Sequence, residues 1–149
     1  MSLAITTVCT SIAAVTVAGV KICDLDNIPP SGTRVTPILF PDPANPISNM
    51  ECTPESYGGG SSRLMDVDYD LNYVYIHCEV GAGRTGLDYL EDCILKVQAI
   101  YDAVLSIDVF AGGVDILPTS NIQIITMTDP SGKNYLGCAL TFHVKEFWR

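Results

Sequence analysis

The chain has few basic residues, few histidines and no cysteine pair at CxxC spacing. Its 8 Lys and Arg stand against 17 Asp and Glu, which gives a formal net charge of -9 over 149 residues. Nucleic-acid binding needs clustered Lys and Arg to neutralise phosphates, and no basic patch occurs, so the composition argues against specific nucleic-acid binding. Two histidines and 6 scattered cysteines do not give the ligand spacing of a zinc site. We therefore expect neither a metal nor a cofactor.

A secretory leader and a membrane span are also missing from the pattern. The apolar N-terminus has no positive charge before it and is rich in Thr, unlike a signal sequence. No apolar run is long and clean enough to cross a bilayer, so we expect no membrane partner. Reduced thiols in a cytoplasmic setting follow from this interpretation. The hydrophobic content of 48% with 17% charged residues favours apolar surface that neighbouring subunits cover.

The length predicts one domain, residues 1–149, organised around the segment from Leu64 to Ile107. In the stretch RLMDVDYDLNYVYI, apolar and aromatic residues alternate with Asp66, Asp68, Asp70 and Asn72, which is the period-2 pattern of a half-buried strand. These polar residues should face water. After the turn GAGRTG, apolar residues recur at spacings of 3 and 4, which predicts one long amphipathic helix. Its stripe consists of Leu87, Leu90, Ile94, Val97, Tyr101 and Val104.

The remaining segments predict an N-terminal helix and several short strands. The helix covers residues 5–17, and strands are predicted at 20–25, 35–40, near 114–118, and in a hairpin of 122–127 and 135–147. Residues 41–63 contain so many Pro, Gly and Ser that we predict a long loop, a candidate for contact with a neighbouring subunit. The fold class is therefore α+β: a single, mostly antiparallel sheet with the long helix packed on one face and an N-terminal helix.

One motif suggests catalysis. Cys78 and Arg84 have the CX5R spacing of cysteine phosphatases, with His77 before the Cys and Thr85-Gly86 after the Arg. In such enzymes a low-pKa thiolate is the nucleophile, backbone amides surround the phosphate, and the guanidinium clamps its oxygens. Asp42 follows Phe40-Pro41 and resembles the general acid of that family. The alternative function is thus a phosphatase with Cys78 as nucleophile, Arg84 as phosphate clamp and Asp42 as general acid.

Three patterns argue against the phosphatase hypothesis. A phosphatase loop follows a parallel strand buried on both faces, which Asp66, Asp68 and Asp70 disfavour. The chain ends in an antiparallel hairpin instead of helices, and a segment that should be helical is rich in Pro and Gly. We therefore expect no catalytic residue. In this interpretation His77 is an ordinary strand residue and Cys78 a small buried hydrophobe at a strand end. Three further expectations complete it: Gly81 and Gly83 permit a turn with φ > 0, Arg84 pairs with an acid or a neighbouring subunit, and His143 faces solvent.

Taken in order, the segments resemble the small neck and tail-completion proteins of long-tailed bacteriophages, in particular the tail-terminator type. The similarity runs through most of the chain, and each part is weak alone. Its parts are the N-terminal helix, Gly19-Val20-Lys21-Ile22 leading to Ile28-Pro29-Pro30, Thr36-Pro37-Ile38-Leu39-Phe40-Pro41-Asp42-Pro43, the aromatic strand ending in Val80-Gly81-Ala82-Gly83-Arg84, the long helix, and Asp129-Pro130-Ser131-Gly132-Lys133-Asn134-Tyr135-Leu136-Gly137-Cys138.

The resemblance implies an α+β subunit of the virion, assembled in the host cytoplasm. Such subunits form a ring, usually hexameric, that closes the head-proximal end of the tail tube and meets the head connector. The implied partners are further copies of the chain, the tail-tube protein and the head-connector protein. A channel that passes DNA without holding it benefits from acidic walls, which a net charge of -9 can supply. Other neck components, such as a head-completion or adaptor protein, share these features.

Overall fold

The computed structural model of the protein describes residues 5–54, 65–81, 89–107 and 114–148. Within these ranges there are two helices and six strands. In chain order they are α1 (Ile5–Ala13), β1 (Lys21–Ile22), β2 (Ile38–Pro41), β3 (Ile47–Pro54), β4 (Met65–Val80), α2 (Leu90–Leu105), β5 (Val114–Thr128) and β6 (Asn134–Trp148). None of the helices in the described ranges is long and apolar enough to span a membrane.

All six strands belong to one sheet with the order β1-β2-β4-β6-β5, and β3 pairs with the same edge of β4 as β2 does. The strand β4 pairs antiparallel with β2, β3 and β6, and β5 pairs antiparallel with β6. The two-residue pairing of β1 with β2 is parallel. The predicted mixture of helices and a mostly antiparallel sheet is confirmed.

The main core lies on one side of this sheet, called here the helix face. The helix α2 contributes a stripe at helical spacing, and α1 adds a smaller set of buried residues. From α2 these residues are Cys93, Val97, Ile100, Tyr101 and Val104, and from α1 they are Val8, Cys9 and Ile12. The Lys96 ammonium donates to the Ala18 carbonyl at 2.7 Å, which ties α2 to the segment that follows α1. An amphipathic helix is confirmed, and Val97, Tyr101 and Val104 of the predicted stripe are buried. Ile94 was wrongly placed in that stripe, since it is 41% exposed, and Leu87 lies outside the described residues.

The opposite side, called here the open face, is divided between a small apolar cluster and polar residues. In β4, every odd residue from Val67 to Tyr75 is buried on the helix face, while Asp66, Asp68, Asp70 and Asn72 are half-buried on the open face. The predicted alternation is therefore confirmed. Near the end of β4 the open face becomes apolar, where a second cluster of Cys23, Ile38, Phe40 and Ile76 is buried.

The prediction of a continuous loop over residues 41–63 is wrong for its first part. Pro41 ends β2, and β3 occupies Ile47–Pro54. The register pairs Ile47 with Leu71 and Cys52 with Val67 along the Asp-rich half of β4. That half of β4 would otherwise be a free edge, and the gain from pairing it outweighs the weak local propensity of a segment bounded by Pro46 and Pro54. Residues 55–63 lie outside the described residues.

Other boundaries also differ from the sequence-based predictions. The helix α1 ends at Ala13 instead of residue 17, and the predicted strands at 20–25 and 35–40 are reduced to Lys21–Ile22 and Ile38–Pro41. The two strands predicted around Gly112–Pro118 and at 122–127 are a single strand, β5. A register irregularity between Leu117 and Asn121 accommodates Pro118, which cannot donate to the ladder.

Candidate functional site

The sequence motif around Cys78 lies at the bulged end of β4. The register with β6 shifts between Ile76 and Cys78, which leaves His77 as the extra residue. The His77 side chain is only 5% exposed, and its Nε2 lies 3.1 Å from an Asp92 carboxylate oxygen at the start of α2. Its Nδ1 lies 2.7 Å from the Tyr75 hydroxyl. Since the carboxylate can only accept, Nε2 of His77 donates to Asp92.

The Tyr75-His77-Asp92 network explains why His77 is buried, and it corrects the prediction of an ordinary strand residue. Without the bulge, Tyr75 and His77 would be expected on one face and Cys78 on the other. The bulge restores Cys78 to the helix face, where it packs against the main core. Asp92 is 67% exposed and lies in the first turn of α2, where a carboxylate also stabilises the helix dipole. The network therefore fastens α2 to the end of β4.

Cys78 is half-buried at the end of the strand, in agreement with the prediction of a small hydrophobe there. Burial raises the pKa of its thiol, and the neighbouring Cys93 and Asp92 raise it further. A thiolate nucleophile needs the opposite shift. The buried Cys93 behaves alike, because its hydrogen bond with Cys138 and its burial raise its pKa. These thiols lie between the sheet and α2 as neutral groups.

The structure separates the two described residues of the catalytic hypothesis, Cys78 and Asp42. The Asp42 N–H donates to the Asn72 carbonyl at 2.9 Å, so Asp42 lies beside position 72 of β4. Cys78 is six positions further along the strand, about 20 Å at the rise of an extended chain. Asp42 also lines a cleft on the open face, whereas Cys78 packs against the helix face. Arg84, Gly83 and Thr85-Gly86 lie outside the described residues.

Gly81 is not in the left-handed region, so the prediction of φ > 0 there is wrong. The left-handed glycines among the described residues are Gly19, Gly32 and Gly132. Gly132, with φ of 89°, closes the turn between β5 and β6, where the Asp129 carboxylate accepts from the N–H groups of Ser131 and Lys133.

A second candidate site is an acidic ribbon, defined as Asp66, Asp68 and Asp70 on the open face of β4. Their side chains are 23%, 30% and 23% exposed, so they lie at the surface and not in the apolar core. Opposite them, β6 presents His143 and Lys145. His143 Nδ1 lies 3.0 Å from Asp70, its Nε2 lies 3.7 Å from Asp68, and the Lys145 ammonium lies 3.8 Å from Asp66.

The prediction that His143 faces solvent needs correction, since His143 lies between two carboxylates and is 28% exposed. The period-2 pattern indicated the face of each residue. It did not indicate the register between β4 and β6, which places Asp70 opposite His143 and Asp68 opposite Lys145. Lys145 and His143 together carry at most two positive charges against three carboxylates, so the acidic ribbon is net negative in either protonation state of His143.

A polar cleft of ≈ 350 Å³ continues the acidic ribbon toward β2 and β3. Asn72 donates from Nδ2 to the Asn45 carbonyl and to the Ser48 hydroxyl, each at 3.0 Å. Asn49 donates to Asp70 at 2.8 Å. The cleft is therefore lined by amide, hydroxyl and carboxylate groups that already form hydrogen bonds with one another. These hydrogen bonds hold the bulged strand β3 against the acidic ribbon. Among the described residues, no three His, Cys, Asp or Glu side chains are arranged to hold a metal ion.

Asp70 gives the acidic ribbon a pH dependence. Burial acts to raise its pKa, but the hydrogen bonds from Asn49 and His143 and the charge of His143 outweigh burial, so the pKa lies below its ordinary value. A lowered pKa in the folded state stabilises the protein above the ordinary carboxyl range, and this contribution is lost as pH falls through the folded-state pKa. Asp70→Asn should therefore flatten the fall of Tm on acidification below about pH 5.

Thermal melts of wild type and Asp70→Asn at a series of pH values between neutral and acidic test this prediction. Glu51→Gln is the matched control, because Glu51 is an exposed carboxylate on the adjacent strand β3. The control should keep the wild-type slope. Equal slopes for wild type and Asp70→Asn would show that Asp70 does not contribute.

No protein-family model and no curated protein sequence matches this chain.

Proposed function

We propose that the chain is a structural subunit of a tailed-phage virion, which acts at the head-to-tail junction as a tail-terminator ring subunit. The observation that carries the proposal is the position of the acidic ribbon. Asp66, Asp68 and Asp70 lie side by side on a half-exposed sheet face, as a subunit lining an acidic channel would need. The sequence resemblance to tail-terminator proteins supplies the biological role.

The electrostatics support this role. A wall that repels phosphates lets DNA pass without binding, and carboxylates at a partly exposed surface give such repulsion at physiological salt over roughly 8 Å. The chain carries 17 acidic and 8 basic residues, so a ring of copies has a strongly negative field. In this proposal the open face, and not the helix face, is turned toward the lumen, and the helices lie on the outside of the ring.

The surroundings of Cys78 support the structural role over the phosphatase alternative. Its pKa is raised, Asp42 lies on the other face of the sheet, and β4 is antiparallel to its three partners. A phosphate-binding loop needs backbone amides at a helix N-terminus with a lowered thiol pKa beside them. Other neck components, such as a head-completion or adaptor protein, agree with the same observations as the tail terminator.

The variant Cys78→Ser separates the structural and enzymatic hypotheses. Under the proposed function it forms the same oligomer as wild type at high protein concentration, measured by size-exclusion chromatography with light scattering. A small partly buried thiol replaced by a hydroxyl should cost about 1 kcal/mol of stability, too little to prevent assembly. An aryl phosphate should not be hydrolysed by either protein above the uncatalysed rate.

Hydrolysis by wild type that is lost in Cys78→Ser would instead identify a phosphatase. A fold control accompanies both assays, since far-UV circular dichroism must match wild type before either result is interpreted. The role at the junction is tested directly with terminator-deficient phage tails: the added protein should give tails of uniform length in negative-stain electron microscopy. Tails that remain of variable length contradict the tail-terminator assignment.

A further inference from the structure

The strand β5 forms one end of the sheet, and its outer edge is unusual. Within the described part of the chain, β5 pairs with β6 alone, so its other row of N–H and C=O groups is free. The stretch Asn121 to Thr128, NIQIITMT, contains no charge, no Pro and no Gly. Soluble proteins normally protect such edges with Lys, Pro or a bulge, because an unprotected edge pairs with other chains.

Apolar side chains accompany the free edge. Ile122 and Ile124 stand opposite Leu140 and Cys138, both buried on the helix face, yet Ile122 and Ile124 are 43% and 41% exposed. The helix α2 packs against β6 and β5 on the same face and exposes Ile94, Leu95 and Leu105. The free edge of β5 therefore carries exposed apolar side chains on the helix face.

We propose that the free edge of β5 binds the β3 edge of a second copy of this chain, so that the sheet continues from subunit to subunit. This inference rests on the proposed function and names the contact that would build the ring. Within one chain β5 has the same direction as β4, and β3 has the opposite direction. In a neighbouring subunit of the same orientation, β3 is therefore antiparallel to the β5 that it would pair with. Antiparallel pairing is the more stable arrangement, and a head-to-tail contact between two different edges builds a ring when the rotation between subunits closes.

The charge of the chain favours a second copy as the occupant, and the contact area indicates how strong that contact is. Two chains of net charge -9 repel each other in most orientations. A contact along residues 121–128 of β5 avoids part of this repulsion, because that stretch contributes no carboxylate. Eight residues of strand extend about 27 Å, and the sheet and helix layers together are about 20 Å deep, which gives roughly 500 Å² per partner. Stable complexes bury about 800 Å² per partner, so this contact is weak singly and needs ring closure or high concentration.

The variant Ile124→Lys tests the contact by placing a charge on the edge. It should abolish self-association at protein concentrations where wild type forms oligomers, measured by size-exclusion chromatography with light scattering. Leu95→Lys is the matched control, because Leu95 is a 56% exposed hydrophobe on the side of α2 opposite its buried residues, away from both sheet edges. Oligomers that persist in Ile124→Lys, with unchanged circular dichroism, would overturn the contact while leaving ring formation intact.

A cross-linking experiment tests which edges meet. Cys52 on β3 is exposed and stands opposite the buried Val67, so it belongs to the helix face, like Ile124. In a Cys78→Ser background, Ile124→Cys with a short bismaleimide should give a ladder of dimers, trimers and higher species on denaturing gels. Gln123→Cys, which stands opposite Ala139 on the open face, should give little ladder.

Removing Cys52 distinguishes the outcomes. With Cys52→Ser added to Ile124→Cys, the ladder should disappear. Dimers that form without Cys52 and extend no further would show that two β5 edges pair with each other, which contradicts the β5-to-β3 contact. Absence of any cross-link in an Ile124→Cys protein that still forms rings would show that the ring uses another surface. A protein that stays monomeric at every concentration, with and without phage tails, would overturn the proposed function as well.

Discussion

Replacing Phe142 by alanine is expected to lower the free energy of unfolding by about 3–5 kcal/mol. Phe142 is fully buried on the helix face of β6. Its ring centroid lies 5.6 Å from that of Tyr73 on β4, nearly edge-on at 79°, and 5.0 Å from that of Tyr101 on α2. One side chain therefore joins two strands and the long helix, and its removal leaves a cavity that three elements would have to close.

Chemical denaturation followed by tryptophan fluorescence and circular dichroism measures this loss. Phe142→Leu keeps most of the buried volume and should cost about 1–1.5 kcal/mol. Thr141→Ala is the neighbouring control, because Thr141 points to the open face, where it donates one long hydrogen bond of 3.3 Å to Asn72. Its loss should cost about 1 kcal/mol or less. A Phe142→Ala protein as stable as Thr141→Ala would show that the aromatic cluster does not hold α2 to the sheet.

The strand β4, the helix α2 and the turn between β5 and β6 show how much of the fold follows from the sequence. The alternation of β4 and the 3-and-4 spacing of α2 reflect burial directly, so both elements were predicted, with the buried face of β4 and most of that of α2. Ile94 of α2 is the exception, since it was assigned to the buried face and is exposed. Asp-Pro-Ser-Gly between β5 and β6 has turn chemistry that needs no tertiary context, and Gly132 adopts the left-handed conformation that this turn requires. In these elements the local pattern is enough to predict the structure.

Predictions failed where pairing between distant segments decides the outcome. The strand β3 lies in a segment of poor local propensity and exists because β4 has an edge to cover. The bulge at His77 is likewise invisible in the period-2 pattern of β4, and without it the Tyr75-His77-Asp92 network could not be predicted. The only sequence signal of the bulge is that the alternating run of β4 is followed by His77 and Cys78. The same pattern is expected where a strand ends.

The candidate site was predicted in part for a similar reason. Exposure of Asp66, Asp68 and Asp70 follows from alternation, but their partners His143 and Lys145 follow from the register with β6, some 73 residues away for the Asp70–His143 pair. The CX5R spacing of Cys78 and Arg84 matches the motif of a cysteine phosphatase. The spacing alone does not indicate that Cys78 lies on an antiparallel strand. A site is therefore better judged by the side chains that the fold brings together on one face than by motif spacing. The acidic ribbon meets this criterion, because its three carboxylates lie on one face of the sheet.

Gly137→Ala is expected to cost about 3 kcal/mol, more than most surface or strand substitutions. Gly137 lies on β6 opposite Ile76 and Ile125, next to the bulge of β4. A Cβ at this position would overlap the Tyr75 carbonyl oxygen and the Met127 methyl group, and it would lie 3.3 Å from the Ile76 Cα. The methyl group of Met127 can move away. The backbone of Tyr75 cannot move without disturbing the bulge that positions His77.

Two further variants isolate this cause. Gly81→Ala is the matched control, because a Cβ at Gly81 meets no atom within 4 Å and its backbone is not left-handed. This variant should leave the Tm within a few degrees of wild type.

Met127→Ala combined with Gly137→Ala removes the flexible neighbour, and the double variant should recover only a part of the loss, since the clash with the Tyr75 carbonyl remains. Full recovery would assign the cost to Met127 packing, and a stable Gly137→Ala protein would show that β4 tolerates a shift at the bulge. Because the bulge also orients His77 toward Asp92, the loss should come with looser attachment of α2, seen as faster amide hydrogen exchange in its first turns.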